Sequence, residues 1–229
     1  MNIFVAGIGP GNYNLITLSA LENAQRSDLI IVPRSDMRIM GMSEKVIRHY
    51  VNDKDKMIIP VLFPMIKDEN ECIRVIHEQL MRHQWQGIKN IFFPVIGDAM
   101  LYSTGYYLVH AFERIIADIN IEFIPGISAH SLASSMAKKY LAMRDEIFTV
   151  ISGTSEPERI IAAMRTSDVI AIYKPKAVKN LRELVMTAGE FSRIIRIDHA
   201  GIPDKECIRE GLASLNEIHE YMSIILLWR

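Results

Sequence analysis

The run Ile3-Phe4-Val5-Ala6-Gly7-Ile8-Gly9-Pro10-Gly11 is an apolar segment that ends in a glycine turn. Apolar positions then recur at Leu15, Leu18, Ala20, Leu21 and Ala24, the spacing of one face of a helix. Asp28-Leu29-Ile30-Ile31-Val32-Pro33 follows as a second buried strand. Strand, glycine turn, helix and strand make a βαβ unit, and a parallel pair of strands requires such a crossover.

The same rhythm continues outward. Residues 68–86 read as a helix with Cys72, Ile73, Val75, Ile76 and Leu80 on one side. Ile91–Val95 is a strand that runs into Gly97-Asp98, residues 102–117 are helical, and Ile121–Ile124 is a strand stopped by Pro125-Gly126. Beyond Gly126 a helix over 128–140 gives way to strands at 148–151, 169–173, 194–197 and 222–228, some without a long crossover between them. That crowding predicts a mixed sheet. The expected fold class is therefore α/β, with an N-terminal domain over residues 1–123, a C-terminal domain over 124–229, and a cleft between them.

Composition narrows the function. Hydrophobic residues make up 49 % of the 229, enough for a sizeable core. Lys plus Arg number 26 against 27 Asp plus Glu, a net charge of -1 that argues against nucleic acid or an anionic membrane as main partner. Cys72 and Cys207 form no C-x-x-C pair. No basic leader opens the chain and no apolar run reaches the ~18 residues of a membrane helix, so a cytoplasmic location is expected.

Five segments carry chemistry. Gly7-Ile8-Gly9-Pro10-Gly11 looks like a dinucleotide fingerprint, but its third glycine position is Asn12, and Pro10 removes an N–H that a pyrophosphate would need. The loop suits close backbone approach by a ligand without phosphates. Gly97-Asp98 stands at a strand end, where Asp98 either caps the next helix or offers a carboxylate to a ligand. In Pro125-Gly126-Ile127-Ser128-Ala129-His130, Ser128 can act as an N-cap, and the absence of a G-x-S-x-G elbow argues against a Ser–His hydrolase. Ser152-Gly153-Thr154 and Tyr173-Lys174-Pro175 end two further strands. So many small, turn-forming strand ends point to one shared site. The seven histidines lack metal-binding spacing, so no metal is expected.

In this order the segments resemble the tetrapyrrole methylases. The family's G-x-G-P-G loop, L-x-T-x-x-A helix, G-D-P segment and P-G-[IV]-[ST]-[SA] turn correspond to Gly7–Gly11, Leu15–Ala20, Gly97-Asp98-Ala99 and Pro125–Ala129. Within it, Ile31-Val32-Pro33-Arg34-Ser35, Phe63-Pro64-Met65-Ile66-Lys67-Asp68 and Leu101-Tyr102-Ser103-Thr104 are similar to the branch that methylates C-20 of precorrin-2 or of its cobalt-bearing counterpart. Two departures stand out: Ala99 replaces the usual proline, and Leu141–Glu146 replaces a proline-containing run.

The resemblance implies two α/β domains of the tetrapyrrole methylase type, distinct from the Rossmann methyltransferases, acting as a homodimer on S-adenosylmethionine and a tetrapyrrole. It implies cofactor contacts at Pro10, Ile96, Gly97, Asp98, Leu101, Ser128, Ala129, Lys174 and Gly211. The acceptor would meet Tyr102, Ser103 and Thr104, and its carboxylates would call for cations such as Arg34, Arg38 or Lys176. Any base that takes the displaced proton could be Tyr102, His130 or water. Alternatives are methylation at another ring position or of a protein side chain, a nicotinamide oxidoreductase, and a binding protein without turnover.

Overall fold

Asn2–Gly7 forms the first strand, β1, with Ile3, Val5 and Ala6 wholly buried. The computed structural model describes residues 1–52 and 56–229, and these fall into two units, Met1–Ser128 and Ala129–Arg229. The expected division at 123/124 lies inside a strand of the first unit.

The first unit adds β2 (Leu29–Arg34), β3 (Met57–Leu62), β4 (Asn90–Val95) and β5 (Asn120–Ile124) in the order β3-β2-β4-β1-β5. All its pairings are parallel. Its helices are α1 (Leu18–Arg26), α2 (Met42–Tyr50), α3 (Glu69–Leu80) and α4 (Gly105–Glu113). Ala20, Ala24, Val46 and Ile47 of α1 and α2 pack with Ala6, Ile30 and Val32. Ile73, Ile76, Leu108 and Phe112 of α3 and α4 pack with Val5, Ile31 and Phe93. Because both faces are covered, the central strands β2, β4 and β1 are mostly apolar, with successive residues feeding opposite cores, whereas edge strand β5 keeps Asn120, Glu122 and Phe123 exposed.

Neither α2 nor β3 carries a clear sequence signal. Helix α2 is short and polar along most of its length, and Pro60 weakens the strand signal of Met57–Leu62. The structure places β3 at the sheet's edge, where a proline's missing N–H costs little. Helix α4 begins at Gly105 rather than 102, after Tyr102 adopts a left-handed φ of 51°.

The second unit holds α5 (Ala129–Ala137), β6 (Phe148–Ser152), α6 (Pro157–Thr166), β7 (Val169–Tyr173), α7 (Leu181–Ala188), β8 (Arg193–Asp198), β9 (Cys207–Glu210) and β10 (Ser223–Trp228). Its sheet order is β6-β7-β10-β8-β9, with β6 parallel to β7 and the other pairs antiparallel. This is the mixed sheet expected. Strands β6, β7 and β8 therefore run in one direction, and their carboxyl ends share one edge. Helices α6 and α7 cover one face and α5 the other, through Ala133 and Ala137.

Candidate functional site

Strands β5, β1 and β4 are neighbours and parallel, so the loops after them emerge side by side. Three glycines make that possible. A Cβ on Gly7 would stand 2.6 Å from the Gly97 carbonyl oxygen and 2.7 Å from the Gly126 nitrogen, and one on Gly126 would stand 2.4 Å from the Gly97 oxygen. No side chain fits there. Gly9 and Gly97 then exchange backbone hydrogen bonds, Gly9 N to Gly97 O at 3.3 Å and Gly97 N to Gly9 O at 2.8 Å. Gly97 has a φ of 80°, and a Cβ on it would meet nothing within 4 Å. The space a side chain would take is empty, although Gly97 itself is buried.

Asp98 locks this arrangement. Its Oδ2 accepts the Gly126 N–H at 2.9 Å and its Oδ1 accepts the Met100 N–H at 2.9 Å. The helix-cap alternative is thereby replaced: α4 starts seven residues later, and Ser103 Oγ accepts the Gly105 N–H at 2.9 Å. Pro10, Ile96, Gly97, Asp98, Leu101 and Ser128 all lie on the loops that follow β1, β4 and β5. Ala99 is 2 % exposed and packs into the apolar core, so an apolar residue suffices where the family has proline.

Strand β1 is followed by α1 on one face of the sheet and its neighbour β4 by α4 on the other. Adjacent strands whose chains leave to opposite faces create the crevice in which open parallel sheets hold ligands. The same edge bears a run of exposed apolar side chains: Tyr13 after β1, Met37, Ile39 and Met40 after β2, Met65 and Ile66 after β3, and Met100 and Tyr102 after β4. Concentrated exposed apolar surface of this kind marks a binding surface.

The two candidate arginines have internal partners. Arg34 forks onto Glu44, Nε to Oε2 at 2.6 Å and Nη2 to Oε1 at 2.7 Å, and also donates to the Met37 carbonyl at 2.9 Å. Glu44 is fully buried and takes a third hydrogen bond from Arg48 at 2.9 Å. Burial pushes its carboxyl up, but Arg34 and Arg48 outweigh that and hold it below the usual range. Arg34 thus organises the 34–44 segment, a role invisible in the sequence because the ten-residue separation carries no periodic signal. Arg38 is exposed and pairs with Asp36 at 2.7 Å.

In the second unit, a Cβ on Gly153 would lie 2.5 Å from the Lys174 carbonyl oxygen, so the turns after β6 and β7 abut. Ser152 Oγ lies 2.7 Å from Thr154 Oγ1. Lys174 holds a left-handed φ of 51°, and Tyr173 just before it meets His130, beside Ala129. Gly211 is placed elsewhere. It follows β9, which runs antiparallel to β8, and its N–H donates to the Ile194 carbonyl near the start of β8. It stands at the opposite end of the sheet from Lys174. The turn that β8 sends to the Lys174 edge is His199-Ala200-Gly201, with φ of 54° at His199 and 79° at Gly201.

That edge also holds a buried ion cluster. Asp198, 2 % exposed, accepts from Arg196 Nε at 2.8 Å, Arg196 Nη2 at 2.9 Å, Ser223 Oγ at 2.6 Å and from Arg209. Burial pushes the Asp198 carboxyl up, yet these partners leave it below its ordinary value. Arg196 also donates to the Ser214 carbonyl, so the cluster ties β8, β9 and β10 together. Among the described residues no group of His, Cys, Asp and Glu could hold a metal ion, and no helix is long and apolar enough to cross a membrane.

The family model for Tetrapyrrole (Corrin/Porphyrin) Methylases matches residues 2–216. The chain is 26 % identical over 229 residues to the Probable cobalt-precorrin-2 C(20)-methyltransferase of Methanocaldococcus jannaschii, covering 99 % of this chain and 96 % of that one. It is 25 % identical to the Cobalt-precorrin-2 C(20)-methyltransferase of Salmonella typhimurium, covering 98 % and 94 %. A crystal structure of Uroporphyrin-III C-methyl transferase from Thermus thermophilus complexed with S-adenyl homocysteine superposes with a TM-score of 0.71 at 16 % identity, covering 100 % of this chain and 92 % of that one.

Proposed function

The chain belongs to the tetrapyrrole methylases and is a methyltransferase, and we propose that it transfers one methyl group from S-adenosylmethionine to C-20 of precorrin-2 or cobalt-factor II in cobalamin synthesis. The observation that carries this reading is the bare Gly97 backbone, left-handed and with empty space where a side chain would stand, braced by Gly9, Asp98 and Gly126. Pro10, Ile96, Gly97, Asp98, Leu101 and Ser128 of the first unit, and Ala129 and Lys174 of the second, are the residues proposed to contact the cofactor. When bound, the cofactor supplies a sulfonium methyl group, whose transfer breaks the S–C bond, forms a C–C bond and releases the C-20 proton.

The chain's own task is alignment and exclusion of water, which together can supply a large share of the acceleration. Backbone loops fixed by glycine packing and by Asp98 align without adding charge, which suits a transition state in which a positive charge disperses. The apolar side chains Met37, Ile39, Met40, Met65 and Ile66 suit the flat faces of a macrocycle. Arg38 stands on the same edge and is the cation proposed for its carboxylates, whereas Arg34 shapes the loop through Glu44. Tyr102, Ser103 and Thr104 complete the acceptor side. By family resemblance the working form is a cytoplasmic homodimer, a size that light scattering checks.

Mass spectrometry and NMR of the product from both metal-free and cobalt-loaded substrate provide the test. One added methyl at C-20 is the expected result. A methyl at another ring carbon overturns the position while leaving the family intact, and no transfer to any tetrapyrrole with the cofactor bound turns the assignment to a protein acceptor.

A further inference from the structure

Tyr173 and His130 meet where two of the proposed cofactor segments begin. Tyr173 ends β7 and precedes the left-handed Lys174, while His130 is the second residue of α5 and follows Ser128-Ala129. The Tyr173 hydroxyl accepts the His130 backbone N–H at 3.2 Å and lies 2.9 Å from His130 Nδ1. The first turn of a helix has N–H groups with no partner inside the helix, and here a phenol from a neighbouring strand satisfies one of them. The imidazole is fixed further by packing. Its ring centroid lies 5.3 Å from that of Phe148 on β6 and 6.0 Å from that of Tyr173, edge to face.

We propose that the Tyr173–His130 pair is a positioning device that sets the first turn of α5 and the Lys174 turn in register for cofactor binding. The proposal rests on the S-adenosylmethionine reading above. Without the hydroxyl, the first turn of α5 keeps its apolar packing but loses this hydrogen-bonded tie to the end of β7, which loosens the register between Ala129 and Lys174. A displacement of an ångström is enough to weaken a site built largely from backbone. The phenol and imidazole need not touch the acceptor, and no proton transfer is assigned to them.

Three full-length variants test this: Tyr173→Phe, His130→Leu and His130→Asn, whose side-chain amide can reproduce a hydrogen bond at the Nδ1 position. S-adenosylhomocysteine affinity is read by calorimetry, fold stability by thermal melting, and KM for S-adenosylmethionine separately from kcat. Tyr173→Phe and His130→Leu should each weaken S-adenosylhomocysteine binding about tenfold and raise KM with kcat largely kept, the size of one lost hydrogen bond. His130→Asn should restore affinity to within about twofold. Should Tyr173→Phe fail to fold, the Leu and Asn variants at His130 decide. Unchanged affinity in Tyr173→Phe and His130→Leu, with melting temperature alone lowered, overturns the positioning role and leaves the cofactor reading standing. No binding by the unaltered protein overturns both.

Discussion

Asp98 accepts the backbone N–H of Gly126 at 2.9 Å across 28 residues of chain, so one carboxylate joins the loop after β4 to the turn after β5. Its other oxygen accepts from Met100, so each carboxylate oxygen fixes backbone geometry and keeps a further lone pair. Asp98→Ala should lower stability by about 1–3 kcal/mol, because the Gly126 N–H loses its acceptor. S-adenosylhomocysteine affinity should fall in the same variant. Asp98→Asn, which keeps one carbonyl oxygen, should recover part of both. Denaturant melts and calorimetry on the same preparations separate the two effects.

Two glycines of the site should behave in opposite ways. A methyl on Gly126 would collide with backbone, its Cβ 2.4 Å from the Gly97 oxygen. Gly126→Ala should therefore cost at least ~1–3 kcal/mol of fold stability. A methyl on Gly97 meets nothing within 4 Å, so Gly97→Ala should cost only the ~1–2 kcal/mol of a left-handed residue while abolishing cofactor binding. A Gly97→Ala protein that binds S-adenosylhomocysteine normally would show that the empty space belongs to another ligand.

Gly211→Ala should cost about 1–2 kcal/mol, since its φ is 79° and the added methyl enters open space. Cofactor affinity should stay as it was, because Gly211 lies at the far end of the sheet from Lys174. A tenfold loss of S-adenosylhomocysteine binding in this variant would contradict that separation.

Glu44 makes stability depend on acid pH. Its folded pKa lies below the unfolded value, so it stabilises the fold above about pH 4.3 and loses that contribution as pH falls through the folded value. Asp198 acts with the same sign. The melting temperature should therefore drop steeply below about pH 4.3. Glu44→Gln should flatten that slope and cost about 3 kcal/mol at neutral pH, because Arg34 and Arg48 then face a neutral amide. Thermal melts from pH 7 to pH 3 on both proteins give the comparison.

S-adenosylhomocysteine and NAD separate the methyltransferase from an oxidoreductase. At a hundredfold excess over its dissociation constant, S-adenosylhomocysteine should add ~2.7 kcal/mol of stability by mass action. NAD should leave the melting temperature unchanged, since Pro10 lacks the N–H and Asn12 the conformational freedom that a pyrophosphate turn uses.

The chain's apolar periodicity by itself determined the α/β class, the parallel first half and the strand-end loops, because burial on both sides of a sheet writes a local pattern. The glycine and proline punctuation of Gly7–Gly11, Gly97-Asp98 and Pro125-Gly126 likewise marked the close-packed loops of the candidate site, since steric need for a bare backbone is a property of single residues. Edge strand β3, interrupted by Pro60, left no such pattern. Tertiary structure alone decided what the polar side chains do. Arg34 looked like a cation for substrate, and folding set it against buried Glu44 ten residues away. Asp98 reads in the sequence as either a helix cap or a carboxylate for a ligand, and the adjacency of β4, β1 and β5 turns its Oδ2 toward Gly126. Gly211 is grouped with Lys174 by motif alone, and the antiparallel run of β9 places it at the other edge of the sheet. A hydrogen bond depends on which strands become neighbours and in which direction they run, and that is set by packing of the whole sheet rather than by the residues on either side.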